Sequence, residues 1–148
     1  MTNDLIKQLK NARKRLLKAV KKLPDSEKVE EWTKKEILAH IAGWYEDGVD
    51  GTQKILRGEK LNSFRMSVNK YNRLSVEKRK NKTARQIINE MNKLHDIWIK
   101  QINALDEEQI TGFYGTILHK KPINILWLIN EAISHDNNHA NEIERKYQ

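Results

Sequence analysis

The sequence predicts an all-α protein, a four-helix bundle running up-down-down-up with a long crossover between its second and third helices. Three observations carry that prediction. Apolar residues recur at three- and four-residue spacing over four long stretches. Two of those stretches open on a complete capping box. Strand signal is slight, and four long helices with little strand pack most simply as a bundle.

The first stretch, about residues 3–22, places Leu5, Leu9, Ala12, Leu16, Ala19/Val20 and Leu23 at helical spacing, with basic residues mainly on the other face. It is an amphipathic surface helix ended by Pro24. Residues 24–32 read as a polar connection. The second helix starts at Thr33, an N-cap whose reciprocal partner Glu36 lies three residues on, with Trp32 and Ile37 placed as a hydrophobic staple. Its pattern runs through Ile37, Ile41, Trp44, Val49 and Ile55 to about Leu56. Gly43, Gly48 and Gly51 weaken it but leave room for a neighbouring backbone or a ligand.

Residues 57–82 read as the crossover, with a short helix around Val68–Val76. Thr83 and Gln86 form the second capping box. Ile87, Met91, Leu94, Trp98, Ile102 and Leu105 then define the third long helix. Residues 106–121, with Gly112, Phe113, Tyr114 and Gly115, read as a loop or short hairpin. Pro122 suits the first turn of the last helix, which continues on Ile125, Leu128, Ile129, Ala132, Ile133 and Ile143 to about Arg145.

At 148 residues the chain is read as a single domain, residues 1–148. The longest purely apolar run, Ile125–Ile129, is far short of the roughly 20 residues that a membrane helix needs. The start has no apolar stretch of signal length, so a cytoplasmic location is expected. The absence of cysteine excludes disulfides, protein thiolate nucleophiles and cysteine-held zinc together. Lys and Arg exceed Asp and Glu by 28 to 20. Eight of the basic residues lie between Lys7 and Lys22, and Lys78–Lys82 adds a second cluster. A solvated helix face accounts for this charge better than nucleic-acid binding, since no aromatic residues interleave with it.

Chemistry concentrates in three histidines. His135 and His139 stand at i and i+4, on one face of the last helix beside Leu128, Ala132 and Ile143. His40 is in line with Ile37 and Trp44 on the second helix. Inward imidazoles need partners, and three of them can share a divalent ion with one position left open for chemistry. His40 lies about 10 Å from the start of its helix, and His139 about as far from the end of the last, at 1.5 Å per residue. Antiparallel packing of those helices brings them to one level. His95, near the edge of the third helix's apolar face, is read as structural, and His119 as solvent-exposed. The string His135-Asp-Asn-Asn-His139 lacks the glutamate that a zinc protease uses as general base.

Trp32-Thr-Lys-Lys-Glu-Ile-Leu-Ala-His40-Ile-Ala-Gly-Trp44 resembles the second-helix motif of the DinB/YfiT-like proteins. Ile133-Ser-His135-Asp-Asn-Asn-His139-Ala-Asn-Glu-Ile143 resembles their last-helix motif. The resemblance spans nearly the whole chain and is closest to the ClbS/DfsB branch. It implies a divalent metal (zinc, nickel or manganese) on His40, His135 and His139, and often a homodimer. It also implies activities such as thiol-dependent S-transfer or hydrolysis, and protection against genotoxic natural products. The expected function is a metal-dependent enzyme acting on a small electrophilic or xenobiotic substrate, with activated water or a low-molecular-weight thiol cosubstrate as nucleophile. The alternative is a non-catalytic stress-protection protein that binds a small molecule or metal. Asp47, Asn138 and Glu142 are candidates to steady the ligating rings from behind. Trp44, Tyr45 and Tyr114 are candidate walls of a substrate pocket.

Overall fold

The computed structural model describes residues 1–59, 66–113, 117–118 and 121–147. Its long helices are α1 (Thr2–Lys21), α2 (Lys34–Leu56), α4 (Ala84–Ala104) and α6 (Ile125–Lys146), with α3 (Val68–Lys78) on the crossover and the short α5 (Glu107–Thr111) after α4. Two antiparallel pairs of two-residue strands join them: β1 (Lys28–Val29) with β2 (Trp32–Thr33), and β3 (Ile117–Leu118) with β4 (Lys121–Pro122).

The helix starts follow their caps. Thr33 Oγ1 accepts from the Glu36 amide, and the Glu36 carboxylate accepts from the Thr33 amide. Thr83 and Gln86 do the same for α4. Asp106 and Gln109 form a third capping box, and α5 is therefore a helix inside the 106–121 stretch that reads in sequence as a loop or short hairpin. The last helix begins later than Pro122 suggests. Pro122 lies in β4, and Asn124 caps α6 by accepting from the Trp127 amide at 2.8 Å. A side-chain acceptor at the cap outweighs the proline's preset φ. The 24–32 connection is half of a hairpin rather than an open link, and it turns through Glu30 at φ 59°.

Side-chain contacts fix the helix directions. Tyr45 meets His95, Gly48 meets Trp98, and Val49 and Gln53 meet Gln101, a near-constant offset that makes α2 and α4 parallel. Arg13 reaches Asn92 while Leu9 faces His95, so α1 and α4 are antiparallel. Leu5 and Leu9 share one apolar cluster with Ile125 and Ile129, whereas Leu16 and Val20 share another with Ala140 and Ile143, so α1 and α6 run parallel. The topology is up-down-down-up. The bundle is two parallel pairs, α1 with α6 and α2 with α4, set against each other.

Gly43 and Gly48 of α2 admit side chains rather than a ligand. A Cβ on Gly43 would lie 2.1 Å from Ser75 Oγ, and one on Gly48 would lie 2.8 Å from the Trp98 ring. The crossover helix is tied down by Arg79, whose buried guanidinium bridges Glu46 of α2 and Glu90 of α4.

Candidate metal centre

His40, His135 and His139 converge on one point. His139 Nε2 is 3.0 Å from His40 Nε2 and 3.0 Å from His135 Nε2. The three rings stand nearly perpendicular to one another, with centroids 4.6–5.1 Å apart. Among the described residues, no fourth His, Cys, Asp or Glu joins them.

Local structure aims each ring. The Thr33–Glu36 capping box starts α2, and the Glu36 carbonyl then accepts from His40 Nδ1 at 3.1 Å. Because a carbonyl only accepts, Nδ1 carries the proton and Nε2 presents a lone pair to the centre. The β1–β2 hairpin lays Trp32 on the other face of His40, centroids 5.5 Å apart and planes 23° from parallel. Behind His139, Glu142 Oε2 lies 3.4 Å from Nδ1, in ion-pair reach but outside hydrogen-bond geometry.

The donor set fits a metal ion. One proton on His139 Nε2 can point at one neighbour but not at both, so a proton alone leaves lone pairs opposed. A single cation satisfies all three nitrogens. Three nitrogens around tetrahedral zinc at about 2.05 Å are about 3.3 Å apart, a few tenths of an ångström beyond the two 3.0 Å separations here, and all three nitrogens lie within 4.8 Å of one another. The rings are also held neutral, as ligands must be. Burial, then the charges of His139 and His40, would push His135 well below the ordinary histidine range. Burial, then His40, takes His139 down to about 4. Burial lowers His40 against the opposing pull of the Glu36 carbonyl.

The other sequence candidates fall in varied places. Tyr45 is 1% exposed and lies in the core, its hydroxyl donating to Asp136 Oδ2, so it does not wall an open pocket. Trp44 donates from Nε1 to Asn72 at 2.8 Å and packs on Tyr71. Asp47 is half-buried and does not join the three-nitrogen cluster; burial, then Asp50, pushes its carboxyl up to about 6. Asn138 is exposed. Tyr114 and His119 lie outside the described residues.

Two corrections concern the core beside the triad. Asp136, not His135 or His139, is the fully buried residue at the centre of the α6 inner face, and the two histidines flank it half-buried. The spacing Ile125, Ile129, Asp136, Ala140, Ile143 carried that signal. Burial, opposed by the Tyr45 hydroxyl and Arg13, raises the Asp136 carboxyl to about 7. His95 is fully buried rather than at an edge, and its ring lies 5.9 Å from Tyr45. Burial, then Arg13, lowers it to about 4, while the Leu9 carbonyl favours its protonated form.

A family model, described as the DinB superfamily, matches residues 8–143. The chain belongs to the DinB superfamily. The fold also recurs among solved structures. One is YfiT from Bacillus subtilis, described as a probable metal-dependent hydrolase with an unusual four-helix bundle topology. It aligns with TM-score 0.77 and 18% identity over 97% of this chain and 84% of its own. The colibactin self-resistance protein ClbS, solved in complex with a dsDNA, aligns with TM-score 0.77 and 11% identity over 97% and 93%. A Streptococcus pneumoniae protein aligns with TM-score 0.80 and 12% identity over 99% and 90%. At these identities the likeness is one of fold. No curated protein matches the sequence. Among the described residues, no helix is long and apolar enough to cross a membrane.

Proposed function

We propose that the protein is a divalent-metal-dependent enzyme that acts on a small electrophilic substrate, with water or an exogenous thiol as the nucleophile. The observation that carries this reading is the convergence of three neutral imidazole nitrogens without a fourth ligand among the described residues. A structural metal site closes its coordination with protein side chains, whereas a catalytic one keeps a place for its substrate or water. A zinc, nickel or manganese ion on His40, His135 and His139 would supply Lewis acidity, polarising a substrate oxygen or lowering the pKa of a water or thiol.

The chain's own residues supply orientation. The Glu36 carbonyl and the Trp32 ring fix the His40 plane, and Glu142 stands ready to accept from His139 Nδ1. Trp32 also covers one face of the His40 ring. With no cysteine in the sequence, any thiol must arrive as a cosubstrate. The description of YfiT as a probable metal-dependent hydrolase supports the hydrolytic branch.

The test is turnover. Tag-free protein loaded with each metal is incubated with a panel of small electrophiles, with and without a low-molecular-weight thiol. Many turnovers per protein, abolished in His40→Ala, are expected. Capture that stops at one equivalent would replace the enzyme with the binding protein, and turnover indifferent to His40→Ala would remove the histidine centre as the catalyst.

A further inference from the structure

The histidine centre straddles the junction between the two helix pairs of the bundle. His40 belongs to the α2–α4 pair, and His135 and His139 belong to the α1–α6 pair. Both apolar clusters of the core draw on all four long helices, and the centre forms only if the two pairs meet in one register. Sliding α6 along α2 by one residue displaces its ligands by about 1.5 Å and turns them by about 100°, enough to destroy three-nitrogen convergence.

A polar contact between α2 and α6 crosses the same junction next to the centre. Tyr45 stands five residues after His40 on α2, and its hydroxyl donates to Asp136, three residues before His139 on α6. Advance along one helix is matched by retreat along the other, as antiparallel packing requires. The two contacts, His40 with His139 and Tyr45 with Asp136, therefore specify the same register at two levels. Apolar packing specifies register only loosely, since neighbouring methyl groups are interchangeable, but a buried carboxylate accepts a hydroxyl at one place. Asp136 occupies a position whose neighbours on the same face, Ile129 and Ile143, are apolar, and stability alone would favour an apolar residue there. His95 of α4 packs beside Tyr45, and Arg13 of α1 acts on Asp136, so each long helix contributes one polar side chain to this layer.

We propose that Tyr45 and Asp136 are positioning residues for the histidine centre, setting α6 against α2 so that His135 and His139 face His40. The proposal rests on the metal-binding reading of the triad.

Zinc affinity of the full, tag-free chain, measured by chelator competition, tests it, alongside the d–d absorption of the cobalt-loaded protein. Tyr45→Phe removes one oxygen and keeps the ring. It is expected to remain folded, weaken zinc binding about 10-fold or more and alter the cobalt spectrum. Asp136→Asn keeps an acceptor for the Tyr45 hydroxyl and is expected to stay near wild type, whereas Asp136→Leu is expected to follow Tyr45→Phe. If Tyr45→Phe lowers the melting temperature but leaves zinc affinity and the cobalt spectrum unchanged, the pair is merely structural and the proposal is overturned. The metal reading fails separately: wild-type protein that binds no zinc sinks both, and zinc lost in His135→Ala/His139→Ala but retained in Tyr45→Phe sinks only the positioning role.

Discussion

Replacing Gly48 with alanine sets two known effects against each other. Alanine is the better helix former by about 1 kcal/mol in a helix interior, so an unencumbered Gly48→Ala would stabilise α2. Gly48 is buried, however, and its added Cβ would lie 2.8 Å from Trp98 Cζ2 and 3.0 Å from both Cε2 and Cη2. The ring cannot yield easily: it is fully buried and tethered by Nε1 donating to Thr52 Oγ1 at 2.9 Å. Contacts of 2.8–3.0 Å against a fixed ring place the overpacking cost in the upper part of its range, about 2–3 kcal/mol, so the net expectation is a loss of about 1–2 kcal/mol, or about 2–8 °C in melting temperature for a chain of this size. Equilibrium urea unfolding with an unchanged m-value is the assay. Trp98→Phe relieves the clash, so the double variant is expected to be more stable than the two single effects sum to, by about 1 kcal/mol. A neutral or stabilising Gly48→Ala would refute the close α2–α4 approach on which the position of His40 depends.

Further predictions concern the buried His95 and the carboxylate behind the centre. His95 has its pKa lowered to about 4, first by burial, so between pH 6.5 and 4 the unfolded chain binds a proton that the native ring refuses. Stability is therefore expected to fall as pH drops through that window. In His95→Phe, urea midpoints at pH 7, 5.5 and 4.5 should show a shallower fall, by on the order of 2–3 kcal/mol over the window; an identical slope would remove His95 as a source. Glu142→Ala takes away the carboxylate beside His139 Nδ1 and is expected to weaken zinc binding about 10-fold. An unchanged dissociation constant would show that Glu142 does not steady the ring.

What the sequence made legible was whatever is encoded locally. Thr33 with Glu36 and Thr83 with Gln86 announce their helices because both partners sit within one turn. The i, i+4 pairing of His135 and His139 follows from helix geometry alone, and alignment with His40 follows from counting residues to the helix ends. Two-residue strands carry no alternation to read, and the hairpin at 28–33 turns through a glutamate rather than a glycine. Its consequence, Trp32 against His40, was accordingly invisible. The short α5 carries a capping box at Asp106 and Gln109, but no apolar period follows it to mark a helix. Asp136 and Gly48 are the harder cases, since each is explained by a partner, Tyr45 or Trp98, on a different helix. A carboxylate on an apolar face reads as a break in the pattern until that partner is in place.

The central claim is that three imidazole nitrogens form one metal-holding centre across the two halves of the bundle. Its most direct test is the metal stoichiometry of tag-free protein after zinc loading and gel filtration, wild type beside His135→Ala/His139→Ala. One zinc per chain in the wild type, and none in the double variant at unchanged helical content, is the predicted result. Wild-type protein without zinc, or a double variant that keeps its full equivalent, would contradict the account.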